Sequence, residues 1–125
     1  MNTNEVAQKL VDLCRAGDNL KAIETLYDKD IVSVEPMAMP SMPAEMKGYE
    51  AVLKKSQWWM NNHEVHSAKV AGPFVAGDRF VVFFDYDVTN KPSGKRMQMS
   101  EAGVYSVANG KVVREEFYYH AEPPK

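Results

Sequence analysis

The chain has 125 residues, of which 45% are hydrophobic and 26% charged, with a formal net charge of −2 and one cysteine. This length suits one domain of ~100–150 residues over 1–125, with 121–125 as a loose tail. The balance of charge excludes a basic nucleic-acid footprint, the lone thiol excludes an intramolecular disulfide, and no apolar run reaches the ~18 residues of a membrane span.

The N-terminal MNTNEV lacks the basic and apolar segments of a secretory leader, and Cys14 reads as a small buried thiol; both point to the cytoplasm. A first helix is predicted from Asn4 to Ala16, capped by Thr3, with Val6, Leu10, Leu13 and Cys14 at helical spacing and Gly17 past its end. Asp18 is expected to cap a second helix, Asn19 to Tyr27, so the two form a helical hairpin. Ile31 to Val34 reads as a short strand, which Pro36 stops.

From Pro36 to Lys47 the chain carries three prolines (Pro36, Pro40, Pro43) and four methionines (Met37, Met39, Met42, Met46). Proline stiffens the path, and methionine adapts its packing to irregular surfaces. Two readings stand here: a lid that lines a ligand cavity with Met39 among its residues, or a loop whose methionines cap the core. Gly48 opens a third helix to Asn62, with Val52, Leu53, Trp59 and Met60 on one side and Glu50, Lys54 and Lys55 on another. Trp58 and Trp59 point about 100° apart, so one is expected in the core and the other at a cavity or an interface.

The period then changes to two. His63 to Ala71 is a strand that Gly72-Pro73 breaks or bends, and Ala76-Gly77-Asp78 is a turn. Arg79 to Thr89 is the most strand-like run, with Phe80, Val82, Phe84, Tyr86 and Val88 in one row and Val81 and Phe83 in the other. After NKPSG, Lys95 to Val107 alternates Met97, Met99, Glu101 and Tyr105 against Arg96, Gln98, Ser100 and Ala102. Asn109-Gly110 is a hairpin signal, and Lys111 to His120 follows with Val113, Glu115, Phe117 and Tyr119 in a row. Three helices and then a long meander define an α+β fold. A coiled antiparallel sheet with helices in its hollow encloses a cavity, and an apolar outer face calls for a homodimer through the sheet.

His63-Glu64-Val65-His66 has the wrong spacing for a zincin helix, and Asp85 with Asp87 reads as a solvated strand end; no metal is expected. No phosphate-cradling loop or dinucleotide fingerprint is present, so no cofactor is expected either.

The order of helix, helix, strand ending in Glu35-Pro36, loop and Gly-initiated helix, then strands closing on NGKVVREEFYY, resembles the nuclear-transport-factor-2-like superfamily. Tyr27-Asp28-Lys29-Asp30 and Asn109-Gly110-Lys111-Val112-Val113 resemble motifs of its SnoaL-like group. The resemblance implies a cone-shaped, barrel-like domain with three N-terminal helices on a strongly curved, mainly antiparallel sheet. It covers members as different as isomerases, cyclases and proteins without chemistry. Against ketosteroid isomerase, Glu35 takes the place of the general base. The oxyanion donors fall at Leu10 and Ala102, neither of which can donate. The same match puts Ser100, Ala102 and Val104 inside the cone beside Glu115, Phe117 and Tyr119, whereas alternation puts Met97, Met99, Tyr105 and Glu101 inside. Two buried faces would satisfy both. Glu115 has a second reading, as the partner of an arginine such as Arg96 at the strand edge.

The expected function is cofactor-independent acid/base chemistry on a small apolar or carbonyl-bearing molecule. Glu35 is the base and Glu115 or Glu101 the acid, with Trp58, Trp59, Met39, Met99, Phe117 and Tyr119 lining the site. A dimeric protein that binds such a ligand without transforming it is the alternative.

Overall fold

The computed structural model describes residues 1–39 and 42–120. Pro40, Ser41 and the expected tail at 121–125 lie outside the described residues. Helix α1 (Thr3–Arg15) begins one residue early because Asn2, not Thr3, caps it. The Asn2 side chain accepts from the Glu5 N–H at 2.9 Å while the Glu5 carboxylate accepts from the Asn2 N–H at 3.0 Å, a reciprocal capping box. Helix α2 (Asn19–Leu26) ends one residue early, since Tyr27 is already extended. Asp18 starts it with its backbone carbonyl, which accepts from Ala22 N–H at 3.2 Å; its side chain makes no cap bond.

The chain passes from α2 straight into strand β1 (Tyr27–Val34), well before the predicted Ile31. A short strand β2 (Glu45–Lys47), absent from the sequence prediction, pairs antiparallel with it, Val34 opposite Glu45. The methionine- and proline-rich segment therefore bridges a hairpin. Gly48, at φ 95°, turns the chain into helix α3 (Tyr49–Asn62), a conformation that glycine adopts without a Cβ clash.

Strands β3 (His63–Ala76), β4 (Arg79–Asn90), β5 (Lys95–Ala108) and β6 (Lys111–Tyr118) form the meander. The curved sheet has the order β2-β1-β6-β5-β4-β3, in which β1 and β6 are parallel and every other pair is antiparallel. Gly72-Pro73 does not end β3: a register slip between Ala71 and Phe74 absorbs it. The Arg15 guanidinium donates to the carbonyls of Val70 (3.0 Å) and Gly72 (3.3 Å), tying α1 to that irregularity.

The apolar stripes of α1 (Val6, Leu10, Val11) and α2 (Ala22, Ile23, Leu26) pack on Phe80, Val82, Phe84, Tyr105, Val107 and Val112 of the sheet. Leu10, 1% exposed, lies inside this cluster; Leu10→Ala there costs about 2–5 kcal/mol through lost burial and the cavity left behind. The outer sheet face stays open, with Phe74 and Phe83 57% and 46% exposed and their ring centroids 5.7 Å apart. No described helix is long and apolar enough to cross a membrane.

Candidate functional site

Residues directly opposite in an antiparallel pair share a face. Tyr105 stands opposite Glu115 and Gly103 opposite Phe117, so the row through Glu101, Gly103 and Tyr105 faces the same way as Glu115, Phe117 and Tyr119. Alternation along β5 thus gives the right face, and the count from the isomerase is one residue out of phase. Ala102 pairs with the exposed Tyr118, and Ser100 is exposed and donates to Asp85. The inward row, α1, α2, α3 and the methionine segment enclose a cavity of about 590 Å³. Glu35, Glu101 and Glu115 line it, together with Trp58, Trp59, Met39, Met99, Phe117 and Tyr119.

Glu115 is 2% exposed. Its Oε1 accepts a hydrogen bond from the Tyr27 hydroxyl and its Oε2 one from Ser33 Oγ at 2.7 Å. Ser33 in turn accepts from Lys55 Nζ at 2.6 Å. Burial raises the Glu115 pKa, while Lys55 and the two hydroxyls act to lower it. The surface pair with Arg96 is not formed: Arg96 makes a bidentate contact with Asp87 instead (2.9 and 2.7 Å), and Glu115 is the saturated hub of an internal network.

Glu35, just past β1, is held by its N–H donating to Ala44 O at 2.8 Å. Its Oε1 accepts from the Tyr119 hydroxyl at 3.4 Å. Its Oε2 is buried without a hydrogen bond among the described residues, and Lys55 Nζ lies 3.8 Å from it. Burial raises this carboxyl, Lys55 lowers it, and the charge of Glu115 raises it again. The Glu101 carboxyl, also on the cavity, makes neither hydrogen bond nor ion pair with a described residue. Burial, then the charges of Glu35 and Glu115, push it up to about 7. The arrangement therefore offers one carboxyl beside a cation and a second that holds its proton near neutrality, a base and an acid on one cavity.

Neither tryptophan is a core residue: Trp59 stacks on His63 (centroids 4.4 Å apart) and tilts against Tyr86, and Trp58 is 37% exposed. Met37, Met39 and Met42 line the cavity while Met46 packs on the core, so each reading of the methionines holds for part of the segment. Met39 and Met42 bond to each other through their backbones at 2.8 and 3.1 Å. His63 bonds to Trp59 O and His66 to Thr89, separate partners for the two rings. Among the described residues no group of three or more His, Cys, Asp or Glu is placed to hold a metal ion. Burial pushes the Cys14 thiol up to about 12, which keeps it unreactive at neutral pH.

Sequence patterns do not single out Tyr27, Ser33 or Lys55, which form the hydrogen-bond network around Glu115. The periodicity puts Tyr27 at the end of a helix and Lys55 on a polar helix face. The signal available for Lys55 was its spacing, three residues after the buried Val52 and four before Trp59.

Three helices on a curved, mostly antiparallel sheet that encloses a cavity form a nuclear-transport-factor-2-like fold. The chain belongs to the SnoaL-like domain family, whose model matches residues 1–119. A Mesorhizobium loti protein described provisionally as a SnoaL-like polyketide cyclase is 46% identical, with 95% of this chain and 100% of that one covered and a TM-score of 0.90. Similar folds at lower identity include a provisional isomerase of Bacillus subtilis (19% identity, 94% and 86% covered, TM-score 0.75). Another is a Burkholderia pseudomallei protein of this fold with unknown function (18% identity, 96% and 92% covered, TM-score 0.75). No curated protein matches the sequence.

Proposed function

We propose that the protein is a cofactor-independent isomerase, cyclase or lyase that moves a proton on a small apolar, carbonyl-bearing molecule. The observation that carries this reading is the presence on one cavity of Glu35, whose Oε2 is buried beside Lys55 without a hydrogen bond to a described residue, and Glu101, whose carboxyl makes neither hydrogen bond nor ion pair with a described residue. Glu35 is the base: with its pKa raised it removes a proton from carbon more readily than an ordinary carboxylate. Glu101, protonated up to about pH 7, offers a hydrogen bond to the substrate and keeps its proton, while Glu35 returns the proton it removed and so regains its carboxylate. Glu115, saturated by Tyr27 and Ser33, holds the site in shape, and the acid role passes to Glu101. The aromatic and methionine walls bind the apolar body of the substrate.

The second reading is a binding protein that holds the same ligand unchanged. It is favoured by Leu10, which lines the cavity at the place matched to one of the isomerase's oxyanion donors and cannot donate; Ala102, on the outer face opposite Tyr118, bears on neither reading. Incubation with naphthyl methyl ketone in heavy water separates the two. Deuterium entering the carbon next to the carbonyl faster than in buffer, and no longer doing so in Glu35→Gln, supports the enzyme; bound ketone without exchange supports the binder. We further propose a homodimer through the outer sheet face, supported by exposed Phe74 and Phe83, and a cytoplasmic location, supported by a single, buried, free thiol.

A further inference from the structure

Val52, Lys55 and Trp59 occupy one face of α3, at spacings of three and four. Val52 is fully buried and Trp59 lines the cavity, so the Lys55 stem runs inward and its side chain is only 12% exposed. An ammonium has three N–H donors. One goes to Ser33 Oγ at 2.6 Å, Glu35 Oε2 at 3.8 Å is beyond hydrogen-bond length, and the Phe117 ring centre lies at 5.4 Å. Lys55 thus makes a single hydrogen bond to the described residues, at the wall of a cavity where unmade bonds are costly.

The network behind Lys55 fixes its role. Ser33, itself 0% exposed, spends its hydroxyl proton on Glu115 and so can only accept from Lys55. Tyr27 donates to the other oxygen of Glu115. The ammonium is therefore anchored from behind as a donor, and its remaining N–H groups make no hydrogen bond to the described residues.

We propose that Lys55 binds the substrate's oxygen, and that the substrate is a neutral carbonyl compound rather than a carboxylate. The proposal rests on the acid/base reading of Glu35 and Glu101 given above. Glu35, the base, and Glu115, which accepts from two hydroxyls, already outnumber the single cation Lys55 on this cavity, so a carboxylate ligand would add a like charge to the cluster. A ketone brings no charge. As Glu35 takes the proton from the adjacent carbon, the C–H electron pair becomes the C=C bond of an enolate and the carbonyl π pair moves onto oxygen. Negative charge then appears on the atom that Lys55 holds, where a preorganised donor counts most. Return of the proton from Glu35 to the same or another carbon restores the carboxylate, with no co-reactant.

Infrared difference spectra of naphthyl methyl ketone with an isotope-labelled carbonyl, bound to the intact protein, test this. Binding isotherms for the ketone and for naphthoate are measured alongside, with wild type and Lys55→Met. The carbonyl band is expected at lower frequency in the wild-type complex than for the ketone in an apolar solvent. In Lys55→Met the band returns toward the apolar-solvent position and ketone affinity falls about tenfold or more, as for loss of a charged hydrogen bond. Naphthoate is expected to bind wild type at least about tenfold more weakly than the ketone. An unshifted wild-type band overturns the role of Lys55 without any variant, as does an identical shift in a folded Lys55→Met. A ketone that does not bind, or naphthoate binding as tightly, overturns the substrate class. The results for Lys55 leave the acid/base reading of Glu35 and Glu101 untouched, since that reading stands or falls on carboxyl titration, which needs no ligand.

Discussion

Tyr105 on β5 stands directly opposite Glu115 on β6 because the register slips between Ser106 and Val107. Val107 pairs with Val112, and the next residue, Ser106, pairs with Arg114. Without that slip Tyr105 would meet Arg114, and a guanidinium rather than a carboxylate would enter the core. One extra residue in a strand re-aims everything beyond it. Here it turns Glu115, Phe117 and Tyr119 toward the helices and seats Glu115 between Tyr27 and Ser33.

Removal of the Glu115 side chain leaves the hydroxyls of Tyr27 and Ser33 buried without an acceptor. Each orphaned group costs about 1–3 kcal/mol, so Glu115→Ala is expected to lose roughly 3–5 kcal/mol of stability and Glu115→Gln, which keeps one acceptor oxygen, less. Urea unfolding measures this; a loss below about 1 kcal/mol in Glu115→Ala would show that the network does not support the fold.

Stability should also depend on pH through Glu101. Its pKa is about 7 in the folded protein and ordinary, at ~4.3, in the unfolded chain, so the folded state binds more protons between these values. The slope of unfolding free energy against pH is then negative. The contribution is fully present below the unfolded pKa and is lost as pH rises through about 7. Glu101→Gln removes this dependence, and relative to wild type it should gain roughly 3 kcal/mol between about pH 5 and about pH 8. Parallel curves for the two proteins across that range would refute the assignment.

At Gly103 an added Cβ would lie 2.8 Å from Cε2 of Tyr105. That ring cannot easily give way, since it stacks on Phe80 at 4.8 Å and meets Phe117 edge-on at 6.3 Å. Gly103→Ala is therefore expected to destabilise by about 1–3 kcal/mol despite the better strand propensity of alanine. A thermal midpoint equal to or above that of wild type would mean that the ring moves aside.

The proposed dimer has its own test. Phe83→Glu puts a charge on the outer face next to Phe74 and should convert a micromolar dimer into a monomer in sedimentation, with the fold retained. A wild-type protein already monomeric at that concentration excludes the interface.

The fold was legible wherever burial imposes a period. The α1 and α2 stripes, the Phe80-Val82-Phe84 row and the Asn109-Gly110 turn all fall where apolar spacing and turn chemistry put them. Strand β2 was not legible: three residues next to a proline-rich segment carry no period, and only pairing with β1 makes them a strand. The site was half legible. The inward row of β5 follows from alternation, but which residues of β6 join it depends on the slip at Ser106, which no local pattern announces. Lys55 escaped for a related reason: a lysine on a helix reads as solvent-facing until the curved sheet makes a cavity for its head group.

Whether Glu101 holds its proton near neutrality on the same cavity as Glu35 is decided by carbon-detected NMR of the glutamate side-chain carboxyls across a pH titration. The Glu101 carboxyl is expected to titrate at about 7, and Glu35 and Glu115 above the ordinary glutamate range. A Glu101 carboxyl that titrates at the ordinary ~4.3 overturns the assignment of Glu101 as the acid.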